Sequence, residues 1–310
     1  MYIRYTALSL LFAFMSLSTG AAYSADNTIK VSKVDSPKKT AAPKEMDMSG
    51  MDMKNCPMMR KNVKHQGYIG STAIISNEEF IWKVSPSTVP QPNKPVTLKF
   101  DFTWKKTGKP LTNLDIVHEK PCHLIVVSND LKEFQHIHPD IKGPGKMAVT
   151  TTFPKAGQYK MYMQFTPKDD GEYTLAKDLQ VGNAKTAKAV LKEDRSDKVV
   201  DGYTLKLPFF PEKAELETGL EVNIQKNGKD IDYVDSFLGA GGHGVMISDD
   251  LTQFLHIHPV LTMAEGVKYK SPILFKASVL KPGKYRAWMQ FQIKDKMVIG
   301  IWDLVVQPNS

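Results

Sequence analysis

The residues of this chain whose types and spacing favour chemistry are histidines in two equally spaced triplets. Six of the eight histidines belong to them: His123, His136 and His138, and His243, His256 and His258. Neutral imidazole is the commonest side-chain ligand for metal ions. Because residues i and i+2 of a strand point to the same face, each His-x-His pair offers two donors on one side. We therefore predict two metal sites, one per triplet.

The third donor of each site lies thirteen residues before the His-x-His pair. A turn signal separates them in each case, Ser-Asn-Asp-Leu at 128–131 and Ser-Asp-Asp-Leu at 248–251. A tight turn returns the chain beside itself, so the lone histidine and the pair should lie on neighbouring antiparallel strands.

The two triplets belong to an internal duplication. Residues 108–139 and 228–259 align without a gap at an offset of 120, and 12 of the 32 paired positions are identical, including all three histidines. The run Met163-Gln164-Phe165 later returns as Met289-Gln290-Phe291. The chain therefore consists of two related domains.

The local pattern of each repeat predicts strands. Apolar and polar residues alternate from Val96 to Lys105, which is typical of a strand with one buried face, and Gly, Pro, Asn and Asp turns recur between short apolar runs. We predict an all-β chain of two tandem antiparallel immunoglobulin-like β-sandwich domains. The first should span 67–183 and the second 201–310, with a polar linker at 184–200.

The N-terminus has the pattern of a secretory signal peptide. One positive charge at Arg4 precedes an apolar run at 7–17, and small residues follow at 22–24. This run of eleven residues, apolar except for two serines, is too short for a bilayer, which needs roughly 20. We predict a signal peptide at 1–24 with cleavage near Ser24, a periplasmic or secreted protein and no stable membrane insertion. An anchor that is never cleaved is the alternative.

Composition and motifs exclude several classes of function. The net charge of +8 comes mostly from scattered lysine, without the basic and aromatic clustering of nucleic-acid surfaces. No nucleophile elbow, phosphate-binding loop or paired-carboxylate motif is present. We therefore expect no nucleic-acid partner and no enzymatic activity.

A methionine-rich segment precedes the first domain. Residues 25–66 have no apolar period, which predicts disorder, and six of the fifteen methionines lie between 46 and 59. Thioether sulfur is a soft ligand that selects Cu(I). We predict Cu(I) ligands at Met46, Met48, Met51 and Met53; a plain linker is the alternative.

Two residues near the first triplet have no counterpart in the second repeat. Cys122 and His118 occur only in the first domain, and as ligands they would make the first site different from the second. Cys122 is predicted as a metal ligand; a disulfide between Cys122 and Cys56 is the alternative, since an oxidising compartment permits one.

Other repeated residues have two interpretations each. Met163 and Met289 share strand parity with aromatic core residues, which favours packing over ligation. Asp115 and Asp235 are equivalent and could orient an imidazole through its second nitrogen, although a solvated carboxylate at a strand end is the preferred interpretation.

The second repeat resembles a known family. Its runs Leu238-Gly239-Ala240-Gly241-Gly242-His243 and Phe254-x-His256-x-His258-Pro259 resemble secreted bacterial immunoglobulin-like domains associated with copper or other heavy metals. The first domain departs from this pattern at 117–123. The resemblance implies an antiparallel sandwich with a role in metal handling in the envelope. The methionine-rich segment is similar to the tails of bacterial copper-resistance proteins.

These patterns together predict an envelope copper-binding protein that acts as a chaperone, buffer or resistance factor. Copper is the expected metal and zinc the second choice, because divalent copper binds nitrogen ligands more tightly than its first-row neighbours and methionine favours Cu(I). Expected partners are the copper ion and an envelope copper transporter or oxidase. The alternatives are a metal-free immunoglobulin-like adaptor and a zinc or copper enzyme with a three-histidine site.

Overall fold

Alternating burial along the strands produces the architecture that the sequence pattern predicts. In the computed structural model, the strand β4 (Pro95–Trp104) shows this clearly, since Val96, Leu98, Phe100 and Phe102 are buried and their neighbours are not. The structure describes residues 68–69, 72–73, 75, 78–215, 217–260 and 268–309. No helix occurs in these residues, so none of them forms a helix that could cross a bilayer.

The first sandwich is formed by a sheet of order β3-β4-β8-β7 and a sheet of order β10-β9-β5-β6. Its core contains side chains from both sheets. Its strands are β3 (Phe80–Pro86), β4 (Pro95–Trp104), β5 (Cys122–Ser128), β6 (Phe134–Ile137), β7 (Asp140–Gly143), β8 (Lys146–Thr152), β9 (Gly157–Phe165) and β10 (Tyr173–Val181).

The second sandwich is formed by a sheet of order β11-β12-β13-β14, with β17 also paired to β13, and a sheet of order β1-β2-β16-β15-β18-β19. Its strands are β11 (Lys198–Val200), β12 (Tyr203–Phe209), β13 (Glu217–Lys226), β14 (Lys229–Asp230), β15 (His243–Ser248), β16 (Phe254–Ile257), β17 (Ile273–Ser278), β18 (Gly283–Ile293) and β19 (Lys296–Val306), joined by β1 (Tyr68–Ile69) and β2 (Thr72–Ala73). All strand pairings are antiparallel, which confirms the predicted fold class.

Two segments differ from the domain limits predicted from sequence. Strand β2 pairs with β16, so the start of the segment 67–183 extends a sheet of the second sandwich. Strand β11 lies within the predicted linker 184–200 and pairs with β12. Backbone pairing decides both placements, because a two- or three-residue strand has too few side chains to show a period.

A third apolar cluster joins the sandwiches face to face, and we call it the interdomain layer. It forms because β5 and β15 bury both of their faces. The layer is lined by Ile125, Val127, Leu131, Phe134, Tyr162, Ala176, Leu191, Val245, Ile247, Phe254 and Trp288. The inner sheets of the two sandwiches therefore pack on each other through it.

Contacts in the interdomain layer come in reciprocal pairs, as in a twofold interface between identical subunits. Phe134 stacks on Trp288 with ring centres 4.8 Å apart, and its repeat equivalent Phe254 stacks on Tyr162 at 4.6 Å. The Tyr162 hydroxyl donates to the Leu251 carbonyl, and Arg286 donates to the equivalent carbonyl of Leu131. The duplicated domains thus associate like a dimer within one chain.

Replacing Trp288 with Ala should destabilise the protein strongly. The side chain is 1% exposed and fills the interdomain layer, so its removal should lower the free energy of unfolding by about 3–5 kcal/mol. Urea unfolding measures this loss. The matched control is Phe209→Ala, at an aromatic residue that is 63% exposed, with an expected loss below about 1 kcal/mol. Equal losses for the two variants would contradict the packing described here.

Candidate metal centre

The strands that bury both faces also place the histidines. Along β5, Cys122 and Leu124 point into the core of the first sandwich, whereas Ile125 points into the interdomain layer. Alternation places His123 on the same face as Ile125. His243 of β15 occupies the equivalent position in the second domain. Each lone histidine therefore lies at the end of the layer, between the two sandwiches.

The first triplet converges as the sequence predicts. β5 and β6 pair antiparallel, with Leu124 opposite Ile137, so His123 approaches His136 and His138. His123 Nδ1 lies 3.0 Å from His136 Nε2 and 3.2 Å from His138 Nε2. Ligands at about 2.0–2.1 Å from a tetrahedral ion are about 3.3 Å from one another. The nitrogens of the first triplet are therefore spaced nearly as a metal site requires.

The second triplet repeats the arrangement with fuller burial. Its ligand atoms all lie within 4.8 Å of one another, as they do in the first triplet. His243 and His256 are 0% and 1% exposed. His243 Nδ1, His256 Nε2 and His258 Nε2 are buried without a hydrogen-bond partner. A buried polar atom without a partner is costly, and three such atoms in one triplet match the donor set of an ion.

Each histidine ring has an outer nitrogen, which faces away from its triplet, and an inner nitrogen, which faces the other rings. A hydrogen bond donated by the outer nitrogen leaves the inner nitrogen with a free lone pair. His123 Nε2 donates to the Val117 carbonyl at 3.0 Å, and His243 Nε2 donates to the equivalent Phe237 carbonyl at 2.9 Å. A nitrogen that donates carries the proton of the neutral ring, so Nδ1 of each lone histidine is bare. The local chain thus selects the tautomer that a metal ion needs.

Two glutamines fix the tautomer of the middle histidine of each triplet. Each glutamine belongs to the domain opposite the histidine that it contacts. His136 Nδ1 lies 2.9 Å from Gln290 Oε1, and His256 Nδ1 lies 2.7 Å from Gln164 Oε1. Because Gln164 Nε2 donates to Glu172, its oxygen faces His256 and accepts the Nδ1 proton. His136 Nε2 and His256 Nε2 are therefore left bare.

Sequence reasoning did not select Gln164 and Gln290 as site residues. The signal that could have found them is their recurrence in the repeated Met-Gln-Phe runs. Their role depends on the packing of one domain on the other, which a strand pattern does not contain.

Burial and mutual repulsion keep the rings neutral. Burial, then the charge of His123, lowers the pKa of His136 to about 3. Burial, then His136 and His123, lowers the pKa of His138 to about 2. Burial lowers the pKa of His123 to about 4, and the pKa values of the second triplet are also well below 6.5. Neutral imidazoles are the form that binds metals.

The two triplets are adjacent to one another. The ring centres of His136 and His256 are 5.0 Å apart, and those of His123 and His256 are 5.2 Å apart. Within the first triplet the corresponding distances are 4.8–5.3 Å. The sequence predicts one metal site per domain, and the structure brings the two histidine triplets into a single cluster, the histidine centre, which also contains His118.

His118 lies against the second triplet, which differs from the sequence prediction. Sequence reasoning associates it with the first site, but its ring stacks on His258 with centres 3.7 Å apart and planes 22° apart. It also makes a hydrogen bond to the backbone of Leu238, its repeat equivalent. The backbone at His118 has a positive φ of 49°, which is uncommon for a residue other than glycine.

Cys122 is separated from the triplet, which corrects its predicted role as a ligand. It is adjacent to His123 on β5, so its side chain points to the opposite face, into the core. Its Sγ lies 3.4 Å from the Pro139 carbonyl and 3.5 Å from Met147 Sδ. Burial raises the pKa of the thiol to about 12. Cys122 is a free cysteine, and Cys56 lies outside the described residues.

The remaining predicted residues take structural positions or lie outside the described part of the chain. Met163 and Met289 are fully buried in the sandwich cores, as their strand parity favours. Asp115 is exposed, and Asp235 accepts a hydrogen bond from the Lys294 backbone, so the orienting role belongs to the glutamines and carbonyls instead. The following lie outside the described residues: Met46, Met48, Met51 and Met53.

Acid should destabilise the metal-free protein below about pH 6.5. The unfolded chain takes up protons on histidine with a pKa near 6.5, whereas the folded rings resist protonation until about pH 4 or lower. The unfolded state therefore binds more protons, and stability falls as pH falls, by up to about 1.4 kcal/mol per pH unit for each such histidine. Urea unfolding between pH 8 and pH 5 measures the slope.

The matched control is His138→Asn, which removes one buried imidazole and should make the slope shallower by up to one proton. A stability that stays constant from pH 7 to pH 5, or a slope that is unchanged in the variant, would contradict this account.

Comparison with solved structures gives low overall similarity. The two-domain fibronectin type III segment of chicken tenascin has 9% identity and a TM-score of 0.21, covering 71% of this chain and 96% of that one. Fibronectin(III)-like modules of Clostridium thermocellum have 9% identity and a TM-score of 0.20, covering 74% and 95%. An Escherichia coli adhesin has 12% identity and a TM-score of 0.24, covering 76% and 66%.

No curated protein matches the sequence significantly. A family model described as a domain of unknown function, DUF8832, matches the chain twice, over residues 76–188 and 198–307. The two matches cover most of the chain and contain one histidine triplet each. The chain therefore belongs to the DUF8832 family, as a tandem pair of its domains.

Proposed function

We propose that this protein is an envelope copper-binding protein that holds one ion at each histidine triplet. The observation that supports it most directly is the second triplet, where three buried ring nitrogens have no hydrogen-bond partner and the ligand atoms lie within 4.8 Å of one another. The same three atom types converge in the first triplet. Both copies of the duplicated domain keep this ligand geometry although many neighbouring residues differ between them, which favours a ligand over a packing accident.

The donor set favours copper. Three neutral imidazoles suit both copper and zinc, and copper exceeds zinc in affinity at nitrogen ligands. The ring nitrogens are neutral, so a site adds no negative charge and suits a monovalent as well as a divalent cation. The methionines at 46–53 supply soft sulfur, which selects Cu(I) and matches a role in capturing that ion. Zinc is the second choice.

The protein acts as a copper chaperone, buffer or resistance factor in a periplasm or outside the cell. The signal-peptide pattern at 1–24 supports this location. An envelope copper transporter or oxidase would deliver or receive the ion. In this proposal the triplets hold copper and carry out no reaction.

An enzyme with a three-histidine site is the second candidate, because Glu172 lines a pocket beside the second triplet. Burial raises the pKa of its carboxyl to about 7, where an acid or base catalyst would function. Binding without a reaction is the first choice nevertheless, because Glu172 accepts a hydrogen bond from Gln164 Nε2, and the oxygen of the same Gln164 side chain contacts His256 Nδ1, so the carboxyl already takes part in holding the second triplet.

The mature full-length protein should bind copper at both triplets. Each double variant, His136→Ala with His138→Ala or His256→Ala with His258→Ala, should lose one ion, because one remaining imidazole cannot hold it. Metal analysis after loading and dialysis measures the number of ions. The matched control is His65→Ala, at a histidine that belongs to neither triplet in the sequence, which should lose none.

An unchanged copper number in both double variants would overturn the proposal. Copper-dependent hydrolysis of activated esters, faster than with the free ion, would favour the enzyme instead.

Replacing Met46, Met48, Met51 and Met53 together with Ile should lower the number of Cu(I) ions bound, because Ile keeps the apolar character but removes the sulfur ligand. Copper(II) at the triplets should be unaffected. Titration under reducing and oxidising conditions separates the two pools. The control is Met163→Ile with Met289→Ile, at buried core methionines, which should leave Cu(I) binding unchanged. Equal losses in both variants would show that these methionines are not ligands.

A further inference from the structure

We infer that the two triplets form one coupled two-metal centre, in which each domain holds the ligands of the other domain's ion in place. This inference rests on the proposed function and adds to it. Two independent sites on tandem domains would each be complete within their own domain. The contacts of the histidine centre show instead three connections that cross between the domains.

The first two connections are the glutamines. Gln290 of the second domain accepts from His136 of the first at 2.9 Å, and Gln164 of the first accepts from His256 of the second at 2.7 Å. Both glutamine side chains are about 95% buried. A partner of this kind fixes the tautomer and direction of a ligating imidazole. Gln164 and Gln290 are therefore positioning residues that act in the opposite domain.

The third connection is His118. It extends from the first domain to stack on His258 at 3.7 Å and lies 5.3 Å from His243, measured between ring centres. Its repeat equivalent is Leu238, so the first triplet has no matching imidazole from the second domain. The two halves of the centre are therefore related but unequal, and the second ion has a fourth ring beside it.

The ring positions limit the separation of the two ions. An ion 2.0–2.1 Å from a ring nitrogen lies about 3 Å from the centre of that ring. The centres of His136 and His256 are 5.0 Å apart, so one ion in each triplet would be no more than about 11 Å from the other. At that distance and an effective dielectric constant of about 20, two monovalent ions repel enough to weaken the second by about tenfold.

The packing holds this arrangement in place. The layer beside the histidine centre contains the stacked pairs of Phe134 with Trp288 and Tyr162 with Phe254. These contacts are apolar, extensive and reciprocal, so they set the distance between the triplets before any ion binds. A preformed interface of this kind lets one domain orient the ligands of the other.

Crossed substitutions test the inference. Two backgrounds isolate the triplets: His136→Ala with His138→Ala leaves only the second, and His256→Ala with His258→Ala leaves only the first. Gln164→Leu should weaken copper binding at the second triplet by about 10- to 100-fold, with less than about a threefold effect at the first. Gln290→Leu should do the reverse. Competition with a chromogenic copper chelator measures both affinities.

Gln290→Glu is the rescue variant, because a carboxylate also accepts from His136 Nδ1 and should restore the affinity of the first triplet. A merely structural glutamine would not be rescued in this selective way. If each Gln→Leu change weakened only the triplet of its own domain, or both triplets equally, the crossed arrangement would be overturned.

Electron paramagnetic resonance of the protein loaded with two Cu(II) ions tests the coupling directly. Ions within about 11 Å should broaden each other's signals by dipolar interaction, whereas each single-triplet variant should give the sharp spectrum of an isolated ion. Two bound ions with unbroadened spectra would overturn the inference and leave the proposed function intact. No bound copper in the wild-type protein would overturn both.

Discussion

The packing of one inner sheet on the other is the constraint on which the rest of the structure depends. β5 and β15 have no solvent-facing side: one face of each completes a sandwich core, and the other face forms the interdomain layer. Burial of this apolar surface is favourable in proportion to its area, and it continues to the end of the sheets where the histidines lie. The same packing therefore stabilises the pair of domains and buries, wholly or in part, seven imidazole rings among the described residues.

Burial of so many rings is costly unless something compensates for it. Desolvation disfavours the charged imidazoles, so all seven pKa values are lowered and the rings are neutral. Neutral rings still require partners for both nitrogens. Carbonyls satisfy the outer nitrogens of His123 and His243, and glutamines satisfy those of His136 and His256. In the second triplet the three inner nitrogens have no protein partner. A bound cation is the simplest group that would satisfy them, which links the energetics of the fold to the proposed copper sites.

Duplication explains how such a centre arises. Related domains that pack about a pseudo-twofold axis place equivalent residues opposite each other, so a histidine triplet near the axis automatically meets its copy. A residue near the axis that differs between the two repeats therefore makes one triplet's surroundings unlike those of the other. His118 and Leu238 occupy equivalent positions at similar positive φ, yet one is a potential ligand and the other is apolar. One substitution of this kind is enough to distinguish two sites that the duplication made alike.

Local sequence patterns by themselves determined the strands, the hairpins and the convergence of each histidine triplet. Period-two alternation predicts the strands, and turn residues predict the hairpins. A histidine thirteen residues before a His-x-His pair predicts that each triplet converges. All three features depend only on neighbouring strands. Tertiary structure alone decided the rest. Cys122 does not lie at the site, because its position on β5 points its side chain into the core. His118 stacks on the triplet of the other domain. Gln164 and Gln290 each make a hydrogen bond to a histidine of the other domain. The physical reason is that contacts between two packed sheets depend on how one rests on the other, and no periodicity along a single strand records that arrangement.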